Sequence, residues 1–274
     1  MSTADKAVKA DKGYRGWLRF CWTSWKLNAA GAMEFRMSFM MTAGMMFINN
    51  LVWIFFWSIY FKQFPIVNGW QQDDVMMMWA VGTAGYGLAA IFFGNMTRIA
   101  NIVATGQLDL YLSQPKPVLL NVLVSRMSVT AIGDLVFGLL LYAIFGDGTP
   151  AGVLKFVSAA LLSTVIFLFF MVATQSLAFY IGNAEGLGQQ LFITFITFST
   201  YPTDIFRGFA RLLLFTAVPA GFVSYLPIGW IREFQPAFAL GAVGAAAGLA
   251  AVGIGLFYRG LRRYSSGNAL GMRM

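Results

Sequence analysis

The chain has 274 residues, of which 58% are hydrophobic and only 11% charged, and its mean hydropathy is +0.68. A soluble domain is about half apolar and a quarter charged, so this composition excludes a soluble globular protein and leaves an integral membrane protein. The net charge of +8 does not point to nucleic acid, because the basic residues flank apolar segments, where they orient a chain in a bilayer and meet anionic headgroups.

The absences narrow the chemistry further. There is no histidine, which rules out a His-based triad and a His-ligated metal site. No Gly-Lys dipeptide occurs, so the phosphate-cradling loop of P-loop ATPases is missing. No catalytic, cofactor-binding or metal-ligating set is therefore expected in this chain. Cys21 stands alone and reads as a small buried apolar residue. The opening "MSTADKAVKADKGYRGWLRF" lacks an apolar core followed by a small-residue cleavage site, and no removable signal peptide is expected.

In chain order, residues 13–36 interleave Trp17, Leu18, Phe20, Trp22, Trp25 and Leu27 with Arg15, Arg19 and Lys26. That pattern predicts an amphipathic helix lying in the headgroup layer. Seven apolar segments follow at Ser38–Phe61, Val75–Thr97, 122–146, Phe156–Gly182, Gly186–Thr203, Leu212–Ile231 and Phe234–Tyr258, judged against about 20 apolar residues per crossing. The third is uncharged over Met127–Gly146 except at Asp134.

Charge settles the count. Lys6, Lys9, Lys12, Arg15, Arg19, Lys26 and Arg36 precede the first segment, and Arg259, Arg262, Arg263 and Arg273 follow the last. Both ends should be cytoplasmic, which requires an even number of crossings. Leu212–Ile231 is the segment to demote, because "TAVPAGFVSYLPIGW" holds Pro219, Gly221 and Pro227; broken helices at membrane depth suit a re-entrant element, here 204–231. The expected fold is all-α, a single transmembrane domain over 1–274 with six spans at 38–61, 75–97, 122–146, 156–182, 186–203 and 234–258. Fourteen of the nineteen basic residues then lie inside, and only Lys62, Lys155, Arg207, Arg211 and Arg232 lie outside.

Between the second and third spans lies "GQLDLYLSQPKP", Gly106 to Pro117. Ile99, Ile102, Val103, Leu108, Tyr111 and Leu112 recur at roughly helical intervals, which predicts short helices under the bundle, stopped by Pro115 and Pro117. A displayed Tyr111 with Asp109 and Gln107 around it would make a docking surface. The plainer alternative is a loop that joins two spans.

Asp134 is the one acid inside a span, and an unpaired buried carboxylate is costly, so it should face protein or water. A structural hydrogen bond is the favoured role, a proton relay the rival. A membrane aspartyl protease is rejected, since Ala131 stands where Gly-x-Gly-Asp needs glycine. Asn49 and Asn50 can hydrogen-bond across helices or line a path. Asp204, Arg207 and Arg211, spaced by three and four, share a face if their segment is helical, as an ion-paired outer cap or a polar gate. The methionines Met40, Met41, Met45, Met46 and Met76 to Met78 suit an adaptable apolar surface, or packing, or lipid contact. Gly244 and Gly248 have the spacing of close helix approach, read as internal packing rather than a dimer seam.

The blocks "GQLDLYLSQPKPVLLNVLVSRM", "AIGDL", "YPTDIFRGFARLLLFTAVPAGFVSYLP" and "FYRGLRRYSSGNA", in this order, resemble the permeases of type-2 ABC exporters, and within them the six-span branch described as ABC-2 family transporter proteins. The resemblance runs from about Trp17 to Leu270. It implies a subunit of the bacterial cytoplasmic (inner) membrane that pairs with an identical or related permease and binds two copies of a separate ATPase, which holds ATP and Mg. It also implies that 99–116 carries the coupling helix, with Ile102, Gln107, Asp109, Tyr111, Gln114 and Lys116 as coupling residues, that Tyr201 to Pro227 is an outer re-entrant pair, and that the N-terminal helix is the connecting helix. The expected function is the transmembrane half of an ATP-driven exporter of a hydrophobic or amphipathic substrate. Its rivals are an ion-coupled secondary transporter, which should show inverted halves and more intramembrane acids, and a non-transporting membrane scaffold.

Overall fold

The computed structural model describes residues 14–181, 184–216, 218–223, 229–231 and 236–265, and among these the regular structure is helical, with no strand. Helix α1 (Tyr14–Glu34) is separated from α2 (Arg36–Gln63) by a break at Phe35, where ψ is 73°. A tight turn leads to α3 (Gln72–Phe92): Val67 and Trp70 exchange backbone hydrogen bonds of 3.0 and 2.9 Å, while Asn68 and Gly69 take positive φ, as a two-residue hairpin turn requires. The Asp74 carboxylate accepts from the Gln71 backbone N–H and fixes the start of α3.

Four short pieces follow: a 3₁₀ turn at Gly94–Thr97, then α4 (Ile99–Ala104), α5 (Leu108–Leu112) and α6 (Val118–Val124). Helix α7 (Thr130–Phe145) and the long α8 (Pro150–Gln175) come next, with a 3₁₀ extension at Ser176–Phe179. Thr149 caps α8 with Pro150 at its first turn, and the Asp147 carboxylate accepts from the Thr149 N–H and Oγ1, which holds that exposed carboxyl below its usual range. The remainder is α9 (Ala184–Ser199), a 3₁₀ turn at Thr203–Ile205, α10 (Phe209–Leu214) and α11 (Pro236–Leu261).

Arg36–Gln63, Gln72–Phe92, Pro150–Phe179 and Ala237–Leu261 are long and apolar enough to cross a membrane. The chain is an all-α, multi-pass membrane protein. Helices α7 and α9 have 16 residues each and reach about 24 Å, short of a hydrocarbon core of about 30 Å. The expected third span at 122–146 is thus divided, since α6 ends at Val124 and α7 starts at Thr130. Of the expected re-entrant element 204–231, Phe215 and Thr216 form a turn after α10, and residues 217 and 224–228, Pro227 among them, lie outside the described residues. So do Lys6, Lys9, Lys12, Arg232 and Arg273.

Helices α3 and α8 form the centre: two thirds of each apolar window is buried, against 6% for α2 and 17% for α11. The outer helices therefore present most of their apolar surface to something other than this chain's core. In lipid the association of helices rests on close packing of small residues rather than on water exclusion. Gly138 shows it. A Cβ added there would lie 2.7 Å from both Ala80 O and Ala84 N, so α7 meets α3 backbone to backbone. Gly244 and Gly248 behave otherwise: an added Cβ at either would meet nothing within 4 Å. The expected internal packing by these two glycines is corrected, and Gly253, against Phe169 O, makes the close approach of α11 to α8 instead. The methionines also divide, Met76 to Met78 being buried in α3 while Met40, Met41 and Met45 are exposed on α2.

Candidate functional site

The segment between α3 and α7 is a bent elbow, and many of its apolar residues fall on its inner side. Ile99, Ile102, Val103 and Leu108 are buried in one cluster with Phe167, Met171 and Phe195 of the bundle. Polar atoms lock the elbow to two helices of the bundle and brace it internally. The Ala100 N–H donates to Gln175 Oε1 at 3.1 Å, at the end of α8, where Gln175 is 2% exposed. Asn101 Nδ2 donates to the Glu185 carboxylate on α9 at 3.3 Å. Asn95 Nδ2 donates to Val122 O and Ser125 Oγ, which ties the 3₁₀ turn to α6.

Of the residues expected on a docking face, Gln107, Asp109 and Gln114 are exposed. Ile102 is buried and contributes to the core alone. Tyr111 is not displayed: it is half-buried against the core, with its hydroxyl 3.1 Å from Ser125 Oγ. Lys116 lies with Nζ 5.6 Å from the Phe20 ring, joining the elbow to α1. The apolar side chains that do face outward are Leu110 and Leu112, at 67% and 42% exposure, which periodicity alone could not assign to a side. Gln114 accepts from Asn121 Nδ2 at 2.8 Å and so braces this turn against α6. Tyr264, beyond α11, comes to the same place: burial and the neighbouring Asp109 carboxylate push its phenol up to about 12.

Helix α1 docks beside the elbow. Trp25 Nε1 donates to Phe92 O at 2.8 Å and Asn28 Nδ2 to Val124 O at 3.0 Å, while Trp17, Leu18, Trp22 and Leu27 remain exposed. A helix held by one face with aromatic and apolar residues exposed on another suits the membrane interface.

The second feature is a cavity of about 230 Å³ within the bundle, lined by residues of α2, α3, α7, α8 and α9 together with Thr200 and Tyr201. Asn49, Asn50 and Asp134 all line it. Asn50 Nδ2 donates to Asp134 Oδ1 at 2.7 Å, with each residue 3% exposed. The contact depends on the residue before Asp134. Gly133 has no Cβ, and one placed there would overlap Ala43 O, so α2 can lie directly on α7. Trp53, Trp79, Tyr86 and Tyr201 supply aromatic walls; Trp53 and Trp79 stack with centroids 5.6 Å apart, and Tyr201 stands edge-on to Trp53 at 6.4 Å.

Asp204, Arg207 and Arg211 form a third group. Their segment is not one helix, because Gly208, at φ +57°, breaks it. Asp204 and Arg211 nevertheless pair across the break at 3.3 Å, and Asp204 Oδ2 accepts from Trp70 Nε1 at 2.9 Å. Arg207 is exposed. Asp204 clamps the α2–α3 turn to the segment after α9. No group of three or more His, Cys, Asp or Glu residues that could hold a metal occurs among the described residues.

Comparisons with curated proteins and with solved structures found no match. The family model described as "ABC-2 family transporter protein" matches residues 47–267, from the middle of α2 to beyond α11, and so takes in the cavity, the elbow and the clamp. Members of that family are membrane components of transport and are not themselves catalytic. A match over most of the sequence, on an all-helical chain of membrane-crossing helices, places this protein in the ABC-2 transporter family as a transmembrane permease.

Proposed function

We propose that this permease is the membrane half of an ATP-driven exporter, moved by a separate ATPase that docks on the elbow at 99–116. The observation that carries this reading is the Ala100 to Gln175 hydrogen bond. It joins the elbow to the central helix α8, so a push on one is delivered to the other. Leu110 and Leu112, with Gln107, Asp109 and Gln114 around them, provide an apolar centre and polar rim for the partner. Six crossings with both termini cytoplasmic, the 204–231 segment re-entrant from outside, and residence in a bacterial inner membrane complete the reading. Two ATPase copies and a second permease, identical or related, complete the assembly, with ATP and Mg held by the ATPases. The nearly uncovered α2 and α11 leave surface for that second permease and for lipid. Substrate passes by way of the aromatic cavity and is hydrophobic or amphipathic. Rearrangement between inward- and outward-facing packings follows from rigid helices hinged at the breaks described above.

The test is transport of fluorescent amphipathic probes into inverted membrane vesicles that contain the permease and its ATPase. Uptake should require ATP and cease when the ATPase's catalytic carboxylate is replaced, with the ion gradient intact. Uptake that persists under those conditions would overturn the proposal in favour of ion coupling.

A further inference from the structure

The cavity around Asp134 carries more information than its apolarity. Its one formally charged lining residue is Asp134, and no Lys or Arg is among the lining residues. Asn50 donates to Oδ1, and among the described residues no donor reaches Oδ2. Three of the wall hydroxyls are already engaged: Thr83 donates to Trp79 O, Ser199 to Phe195 O and Thr200 to Thr197 O. Arg98 and Arg126 line a separate polar cleft that shares only Tyr86 with this cavity. What the walls offer a ligand is therefore one carboxylate oxygen, the faces of Trp53, Trp79, Tyr86 and Tyr201, and neutral polar groups such as the Asn49 amide and the buried, unpartnered Trp79 Nε1.

Those are the features that select a positive charge. Aromatic faces attract a cation through their quadrupoles, most strongly where water is excluded. A buried carboxylate without a counter-charge is costly in a membrane, and a bound cation removes that cost. An anion would meet the carboxylate in a confined space whose donors are all neutral. We propose that the cavity between α2, α3, α7, α8 and α9 binds the cationic head of an amphipathic organic cation, with Asp134 as counter-ion and Trp53, Trp79 and Tyr201 as its aromatic cage. The volume of about 230 Å³ suits a compact head such as a substituted ammonium group, with any longer apolar tail left outside. As a statement of substrate class this rests on the transporter reading above, whereas the binding itself can be measured without the ATPase.

The test uses the full-length permease in lipid nanodiscs, with calorimetric titration of benzyltrimethylammonium and of neopentylbenzene, its neutral carbon isostere, against protein-free discs. The cation should bind more tightly than the isostere. Asp134→Asn, which keeps a hydrogen-bonding partner for Asn50, should weaken the cation at least about thirtyfold and leave the isostere unchanged. Trp53→Leu should weaken the cation severalfold, and Trp53→Phe less. Gel-filtration profiles identical to wild type establish that each variant is folded. Equal affinity for cation and isostere, no binding of the cation, or an Asp134→Asn variant that binds as wild type each overturns the proposal. Any of these would leave ATP-dependent transport of other probes intact, whereas failure of the transporter reading appears as uptake that ignores the ATPase.

Discussion

Gln175 is the side chain through which the elbow and the bundle are joined. It is buried, and its Oε1 is the acceptor for the Ala100 N–H. Leucine there would strand that donor, at about 1–3 kcal/mol. Gln175→Leu should therefore leave the permease able to co-purify with its ATPase while substrate-stimulated ATP hydrolysis falls severalfold; normal stimulation would remove Gln175 from the transmission path. At this scale the sequence was informative about cost but not about pairing. Asp134 could be read as an acid in need of a neighbour, yet Asn50 lies 84 positions away, and only the packing at Gly133 brings the two together. Tyr111 shows the opposite failure. Helical spacing marks a stripe without saying which side faces the core, and the Tyr111 hydroxyl lies against Ser125.

Among the elements, α7 and α11 bear glycines of opposite meaning. A Cβ on Gly138 would press on the α3 backbone, which cannot move aside cheaply, whereas one on Gly244 would enter open space. Gly138→Ala should cost about 1–3 kcal/mol, seen as an earlier thermal transition in detergent, while Gly244→Ala should leave that transition unchanged. Equal effects of the two would contradict the packing described here. The small-residue motif was legible in the last apolar segment; which glycines touch a neighbour depends on helix rotation, which hydropathy does not encode. In the elbow, Leu110→Asp and Leu112→Asp should reduce co-purification of the ATPase while the permease still inserts. Tyr111→Phe, which loses only the bond to Ser125, should associate nearly as wild type. A stronger loss from Tyr111→Phe than from Leu110→Asp would restore Tyr111 as the anchor. The short helices at 99–116 and their termination near Pro115 and Pro117 were readable because periodicity and proline are local signals.

For the whole molecule, composition was decisive, since a chain so apolar and so poor in charge has only the bilayer as its solvent. Four long helices were legible as apolar runs. The interruption between α6 and α7 falls at residues 125–129, where Ser125, Arg126 and Ser128 mark it, and extending the span back to 122 joined apolar residues of α6 to those of α7 across that bend. The six-crossing arrangement predicts that a cysteine at Thr149 reacts with a membrane-impermeant maleimide from outside and one at Ser113 only from the cytoplasmic side. The elbow and α1 meet at the end of α3, and the cavity lies beside the middle of the same helix, so a displacement of α3 can act on all three. The measurement that bears most directly on this account is photocrosslinking from position 110 in native membranes that contain the ATPase. The account predicts a crosslink to the ATPase subunit that diminishes when Leu112 is replaced by Asp. A photocrosslinker at 110 that is reached from the exterior, or that yields no adduct while the ATPase co-purifies, would contradict it.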